Sequence, residues 1–102
     1  MAKWTRVARL DECPAGSAIE RVAGERIVAV FNVGGTVYAM DGVCPHQGGP
    51  LGQGTLCEAI VTCPWHGWQF DVTNGQNQLN PRIVQPHFEV RIENEWILVD
   101  LQ

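Results

Sequence analysis

The sequence predicts a small all-β domain made of short antiparallel strands. Eleven glycines and six prolines in 102 residues distribute turns along the chain and argue against long helices. Between those turns lie short runs rich in β-branched and apolar residues, and Gly34-Gly35 is a dipeptide suited to a tight hairpin. Turns at this spacing are typical of a β-sandwich or barrel with roughly seven to nine strands.

The predicted strands follow in order along the chain. They cover residues 4–8, 25–33, 36–40, 59–63, 68–72, 87–92 and 96–101. A turn is predicted at residues 73–76, a hairpin turn at Glu93-Asn94, and a short helical turn at residues 10–13. The aromatic residues predicted to lie in the core are Trp4, Phe31, Phe88 and Trp96.

Composition sets limits on function. A chain of this length predicts a single domain, residues 1–102, with a core small enough to benefit from a bound metal. The formal charge of −4 disfavours nucleic acid as a partner. No apolar run is long enough for a signal peptide or a membrane span. We therefore expect a cytoplasmic protein in a reducing compartment, with no membrane partner.

Two short stretches carry the same chemistry. Cys44 and His46 in "CPHQGG" are matched by Cys63 and His66 in "CPWHGW", and both stretches come near the ends of predicted strands. A proline follows each cysteine and stiffens the loop, while nearby glycines let the backbone approach a bound group. The pattern therefore predicts two adjacent metal-binding loops at one end of a sheet.

Two metal centres accept this ligand set. Zinc takes two thiolates and two imidazoles in a tetrahedron, although familiar zinc sites pair cysteine with cysteine and histidine with histidine. A [2Fe-2S] cluster with two histidines on one iron explains why each loop supplies one cysteine and one histidine.

The stretches "CPHQGGPL" and "CPWHGWQFD" resemble those of Rieske proteins, whose motif is C-x-H followed by C-x-x-H. The resemblance extends over nearly the whole chain. It implies a Rieske-type fold of small antiparallel sheets, with a cluster-binding subdomain built from two loops. It implies one [2Fe-2S] cluster per chain, with Cys44 and Cys63 on the buried iron and His46 and His66 on the outer iron. Asn80 to Arg82 would then form a loop over the cluster.

Residues other than the four proposed ligands exclude some classes of Rieske protein. Only His87 is left after the cluster, so the chain cannot build the second, mononuclear iron site of an oxygenase catalytic subunit. The resemblance implies that respiratory members of the family form a different subset. In them a disulfide joins the positions that are Gly49 and Trp65 here. They also carry hydroxyls where this chain has Trp68 and Phe70, so we expect a reduction potential toward the low end of roughly −150 to +300 mV.

The resemblance implies a ferredoxin, not an enzyme acting alone. Its partners would be a flavin-dependent reductase and a terminal oxygenase such as an aromatic-ring-hydroxylating dioxygenase. The alternatives are a small redox subunit of an NADH-dependent nitrite reductase and a zinc-stabilised binding module.

Further residues complete the sequence-based expectations. Gln47, Leu51 and Trp65 are candidates for a docking face, with shielding of the cluster as the alternative for Leu51 and Trp65. Glycine-loop N–H groups are expected to stabilise the charge added on reduction. Cys13 and Cys57 are expected to be free thiols.

Overall fold

A computed structural model describes residues 2–45, 47–65 and 67–101. In these ranges the chain forms ten strands and two 3-10 helices, so the all-β prediction is confirmed. The strands are β1 Trp4–Arg9, β2 Ala18–Ala23, β3 Arg26–Val33, β4 Thr36–Asp41, β5 Thr55–Cys57, β6 Ile60–Thr62, β7 Gln69–Asp71, β8 His87–Phe88, β9 Val90–Glu93 and β10 Trp96–Asp100. The 3-10 helices are Leu10–Glu12 and Leu51–Gln53.

The strands form three antiparallel sheets. Their orders are β1-β10-β9, β2-β3-β4-β8 and β5-β6-β7. Strand β3, in the four-stranded sheet, is buried on both of its faces. Val28 and Val30 belong to a core shared with β1 and β10, whereas Ala29 and Phe31 belong to a second core shared with β6 and β7. Because side chains alternate along a strand, one apolar strand supplies both cores.

The two predicted hairpin turns use positive φ angles. Gly34 and Gly35, with φ of 59° and 103°, join β3 to β4, as predicted. The hairpin between β9 and β10 turns at Asn94 and Glu95, with φ of 51° and 68°, one residue later than predicted. Glu93 remains in the ladder opposite Trp96, and asparagine tolerates the left-handed conformation that such turns require.

The structure corrects several predicted elements. Strands β2 and β5 were not predicted, and the single strand expected over residues 87–92 is divided at Glu89 into β8 and β9, which belong to different sheets. Phe31 is fully buried and Phe88 packs against the core. The placement of the two tryptophans in the core is wrong: Trp4 lies half-buried under Arg91, and Trp96 lies under other arginines. Stacked guanidinium groups cover these rings.

None of the helices in the described part of the chain is long and apolar enough to span a bilayer.

Candidate metal centre

The first cysteine loop follows β4 and is closed by its own backbone. The N–H of Cys44 donates to the carbonyl oxygen of Gly49 at 2.8 Å, and the N–H of Gly48 donates to the carbonyl of Cys44 at 2.8 Å. Gly48 has φ of 76°, a conformation that L-residues seldom adopt. The loop thus folds back on its cysteine within five residues.

The second loop follows β6 and repeats this geometry. The N–H of Cys63 donates to the carbonyl of Trp68 at 2.8 Å, and the N–H of Gly67 donates to the carbonyl of Cys63 at 3.1 Å. Gly67 has φ of 75°, almost the same as that of Gly48. The predicted repetition of loop chemistry is therefore also a repetition of backbone structure.

The two loops pack against each other around buried thiols. Cys44 and Cys63 are 2% and 3% exposed and belong to one apolar cluster. A Cβ atom on Gly49 would lie 2.6 Å from the Sγ of Cys63 and 3.2 Å from the Cβ of Trp65. Gly49 is therefore the residue at which the two loops touch.

The two predicted histidine ligands, His46 and His66, lie outside the described residues.

A buried glutamine anchors the first loop, and sequence reasoning missed it. Gln85 is 2% exposed, and its Nε2 donates to the carbonyls of Asp41 and Val43 at 2.8 and 2.7 Å. Val43 directly precedes Cys44, and Asp41 lies three residues before it. The backbone N–H of Gln85 donates to the carbonyl of Gly75 at 2.7 Å. No sequence pattern marks such a residue, because its partners lie more than forty positions away.

The segment that contains Asn80 to Arg82 lies beside the second loop. Asn77 is buried, and its Oδ1 accepts the N–H groups of Leu79 and Asn80, both at 2.9 Å. Together with the end of the second loop, this segment bounds an apolar groove of about 330 Å³. The groove is lined by Trp68, Gln69, Asn77, Leu79, Asn80 and Ile83.

The structure corrects one sequence-based expectation about the loops. Leu51 is fully buried, so the prediction that it forms part of a docking face is wrong and it packs beneath the loops instead. The N–H groups of Gly48 and Gly67 donate within their own loops, and the expectation that glycine-loop N–H groups stabilise the charge added on reduction stays a prediction. Trp68 packs on the same core as both cysteines, with its ring 6.4 Å from that of Phe70.

The other cysteines are separate from this centre. Cys13 is fully buried in the first core, beside the Ser17 hydroxyl at 3.4 Å, and Cys57 is exposed on β5. Neither forms a disulfide, as predicted. Burial raises the pKa of the Cys13 thiol, although the Ser17 hydrogen bond and the charge of Arg21 act in the opposite direction.

The observed geometry fits an iron–sulfur cluster. Two buried thiols come from loops of matching shape, and glycine stands where any side chain would press on a sulfur. Thiolates are the ligands that hold such clusters, and burial keeps water from them. This fold and site define an iron–sulfur electron-transfer protein.

The chain belongs to the Rieske [2Fe-2S] domain family, whose model matches residues 3–94. The cofactor is therefore a [2Fe-2S] cluster, and the interpretation as a zinc module is wrong. The chain is 31% identical to the anthranilate 1,2-dioxygenase ferredoxin subunit of Burkholderia cepacia, over 84% of this chain and 79% of that one.

Solved structures agree. The ferredoxin of carbazole 1,9a-dioxygenase from Nocardioides aromaticivorans IC177 is 27% identical, with a TM-score of 0.89 over 98% of this chain and 99% of its own. A complex of oxygenase and ferredoxin in carbazole 1,9a-dioxygenase contains a chain 28% identical, with a TM-score of 0.85 over 95% of this chain and 92% of that one. The chain is an electron carrier of the ferredoxin type and not an enzyme by itself.

The nitrite reductase alternative receives less support. A putative NADH-dependent nitrite reductase small subunit from Mycobacterium tuberculosis has a TM-score of 0.86 over 97% of this chain and 95% of its own, but is 22% identical. That likeness shows the shared fold alone.

Proposed function

We propose that this chain passes single electrons from a flavin-dependent reductase to the terminal oxygenase of a ring-hydroxylating dioxygenase system in the cytoplasm. The observation that carries the proposal is the pair of matching loops around buried Cys44 and Cys63. The relatives named as dioxygenase ferredoxins support this choice of system.

The proposed ligands are the four residues of the double motif. Cys44 and Cys63 would hold one iron in the buried interior, and His46 and His66 would hold the other. The matching closure of the two loops supports this assignment, because it presents the two cysteines in equivalent surroundings.

The protein's own residues would keep the centre dry and rigid. A bound [2Fe-2S] cluster accepts and releases one electron at a time. The buried Leu51 and Phe70 exclude water below the loops, and Gln85 fixes the backbone just before Cys44. Trp65, which is 56% exposed, keeps the second loop accessible to a partner. A rigid and partly accessible site favours repeated brief electron transfer.

Electron paramagnetic resonance of the dithionite-reduced protein tests the ligand assignment, together with iron and sulfide analysis. We expect an average g-value below that of clusters with cysteine ligands only. Cys44→Ser, His46→Ala and His66→Ala should abolish or alter this signal. His87→Ala is the matched control and should leave it intact. An unchanged signal in His66→Ala would contradict the assignment.

A reconstituted electron-transfer chain tests the function. The holoprotein, an NADH-dependent flavin reductase and a terminal oxygenase should together hydroxylate an aromatic substrate, and omission of the holoprotein should stop product formation. A holoprotein that the flavin reductase cannot reduce, or that cannot reduce the oxygenase, would refute the proposed role.

A further inference from the structure

Gln85 is a buried polar side chain that contacts the backbone beside a cysteine of the double motif. Burying an amide is unfavourable unless its N–H groups find acceptors, and an apolar side chain of similar size would fill the same space without that cost. The Nε2 of Gln85 donates to the carbonyls of Asp41 and Val43, at 2.8 and 2.7 Å. Because both partners are acceptors, the N–H end of the amide has to face them.

The carbonyl of Val43 belongs to the peptide group that leads into Cys44. The N–H end of the same peptide, on Cys44, donates to the carbonyl of Gly49 at 2.8 Å. Hydrogen bonds therefore hold this group at both ends, with the Gln85 side chain on the carbonyl side. Since a peptide group is planar, holding both ends fixes the Cα atom of Cys44, which carries the thiol.

The two residues before Val43 are held as well. The carbonyl of Gly42 accepts the N–H of Leu51 at 2.9 Å, and the Asp41 carboxylate accepts the N–H of Val43 at 3.0 Å. Each of the three carbonyls before the cysteine thus has a donor, and Gln85 supplies two of the three. This stretch of backbone depends on the one amide side chain.

Gln85 is itself fixed by the hairpin that follows the second loop. Its backbone N–H donates to the carbonyl of Gly75 at 2.7 Å, and the N–H of Gly75 donates to the carbonyl of Asp71 at 2.7 Å. Asp71 ends β7, the strand that begins directly after the second loop. A Cβ on Gly75 would collide with the carbonyl oxygen of Gln85, so these segments are in close contact. The amide therefore ties the backbone before Cys44 to the strand after Cys63.

We propose that Gln85 is a positioning residue for the [2Fe-2S] cluster, because its amide sets the place of the Cys44 thiol relative to the second loop. The proposal rests on the proposed ligand role of Cys44. The two N–H groups also offset the partial negative charge of the carbonyl oxygens before this cysteine. A less negative environment favours the reduced cluster, which carries one more electron.

The test compares wild-type holoprotein with Gln85→Met. Methionine has nearly the length and volume of glutamine but no N–H donor. In equilibrium with a dye of known potential, the equilibrium constant for reduction of the variant should fall at least about threefold, because the carbonyls lose their donors. The electron paramagnetic resonance lines of the dithionite-reduced variant should broaden, because the thiol is no longer held in one place.

Val99→Ala is the matched control for a general loss of stability. Val99 is fully buried on β10, in the core that does not contain Cys44 and Cys63, so its truncation lowers the thermal midpoint from a distance. This variant should keep the wild-type equilibrium constant and line widths. Gln85→Asn serves if Gln85→Met takes up no cluster. Its amide is one methylene shorter, and it should shift both readouts in the direction expected for methionine.

The outcomes separate this role from the proposals on which it depends. Wild-type readouts in the Gln85 variants, or equal changes in Val99→Ala, would overturn the positioning role alone. A Cys44→Ser holoprotein with the wild-type resonance signal would overturn the ligand assignment, and the positioning role with it. Both expected effects in a chain that cannot reduce a terminal oxygenase would support the positioning role and overturn the proposed function.

Discussion

Gly49 and Cys63 are so closely packed that a methyl group on the glycine would lie 2.6 Å from the cysteine sulfur. Real Cβ atoms essentially never approach another atom this closely. One loop therefore sets how much room the other loop has for its thiol. The two halves of the centre form a single packed unit.

Gly49→Ala should prevent full cluster incorporation, because the new methyl group displaces the Cys63 sulfur. We expect less iron and sulfide per chain and weaker visible absorption after identical maturation. Gly67→Ala is the control, since a Cβ at Gly67 would meet nothing within 4 Å and only the positive φ would cost about 1 kcal/mol. Equal cluster content in the two variants would show that the contact is unimportant.

Gln85→Leu should destabilise the holoprotein. The substitution removes both hydrogen bonds to the carbonyls before Cys44 and leaves those part-buried acceptors without this donor. The expected loss is about 2 kcal/mol, which corresponds to roughly 10 °C in the thermal midpoint for a domain of this size.

A second glutamine provides the control for this change. Gln78 is exposed, so Gln78→Leu should shift the midpoint little. Calorimetry or the loss of cluster absorption on heating measures both variants. Matching midpoints for Gln85→Leu and Gln78→Leu would mean that the buried amide does not stabilise the loop.

The sequence predicted the cysteine loops because their chemistry is local. Cysteine, proline, histidine and glycine occur together within six residues in each stretch, and two such stretches specify a centre. Strands β3 and β4 were also predictable, since apolar residues flank a glycine pair. Strand β5 has three residues, and β2 mixes charged with apolar residues, so neither shows a clear pattern.

Long-range contacts could not be predicted in the same way. Leu51 stands beside the first loop in the sequence, and only the packing of its 3-10 helix shows that it points into the core. The position of Trp96 depends on its register opposite Arg9, which stacks on the ring. The two hydrogen bonds of Gln85 likewise follow from tertiary structure.

Phe70→Tyr should raise the reduction potential. Phe70 is fully buried in the same core as both cysteines. The resemblance described above implies a hydroxyl at this position in respiratory members of the family. A new O–H donor to a cluster sulfur would stabilise the reduced state. A hydrogen bond of about 1 kcal/mol corresponds to roughly 40 mV for one electron.

Potentiometric titration compares this variant with wild type and with Phe88→Tyr. The wild-type potential should lie toward the low end of roughly −150 to +300 mV. Phe88 packs on the first core, so its tyrosine variant should keep the wild-type value. A wild-type potential near the upper end would refute the first expectation, and an unchanged value in Phe70→Tyr would refute the second.

Cys57 should react with iodoacetamide much faster than Cys13 in the folded holoprotein. Cys57 is exposed, whereas Cys13 is fully buried and its raised pKa keeps the thiol protonated. Mass spectrometry of timed samples measures both rates. Rapid labelling of Cys13 without unfolding would contradict its buried position.

The raised pKa of Cys13 also gives stability a pH dependence. Above the ordinary thiol pKa of 9.0, the unfolded chain loses this proton while the folded chain retains it. The folded state then binds more protons than the unfolded state, so the contribution of Cys13 is complete below pH 9 and is lost as pH rises through the folded pKa. Cys13→Ala removes this titration. The stability advantage of wild type over Cys13→Ala, measured by urea unfolding, should therefore be constant below pH 9 and shrink as the pH rises above 9. An advantage that stays constant above pH 9 would exclude the linkage.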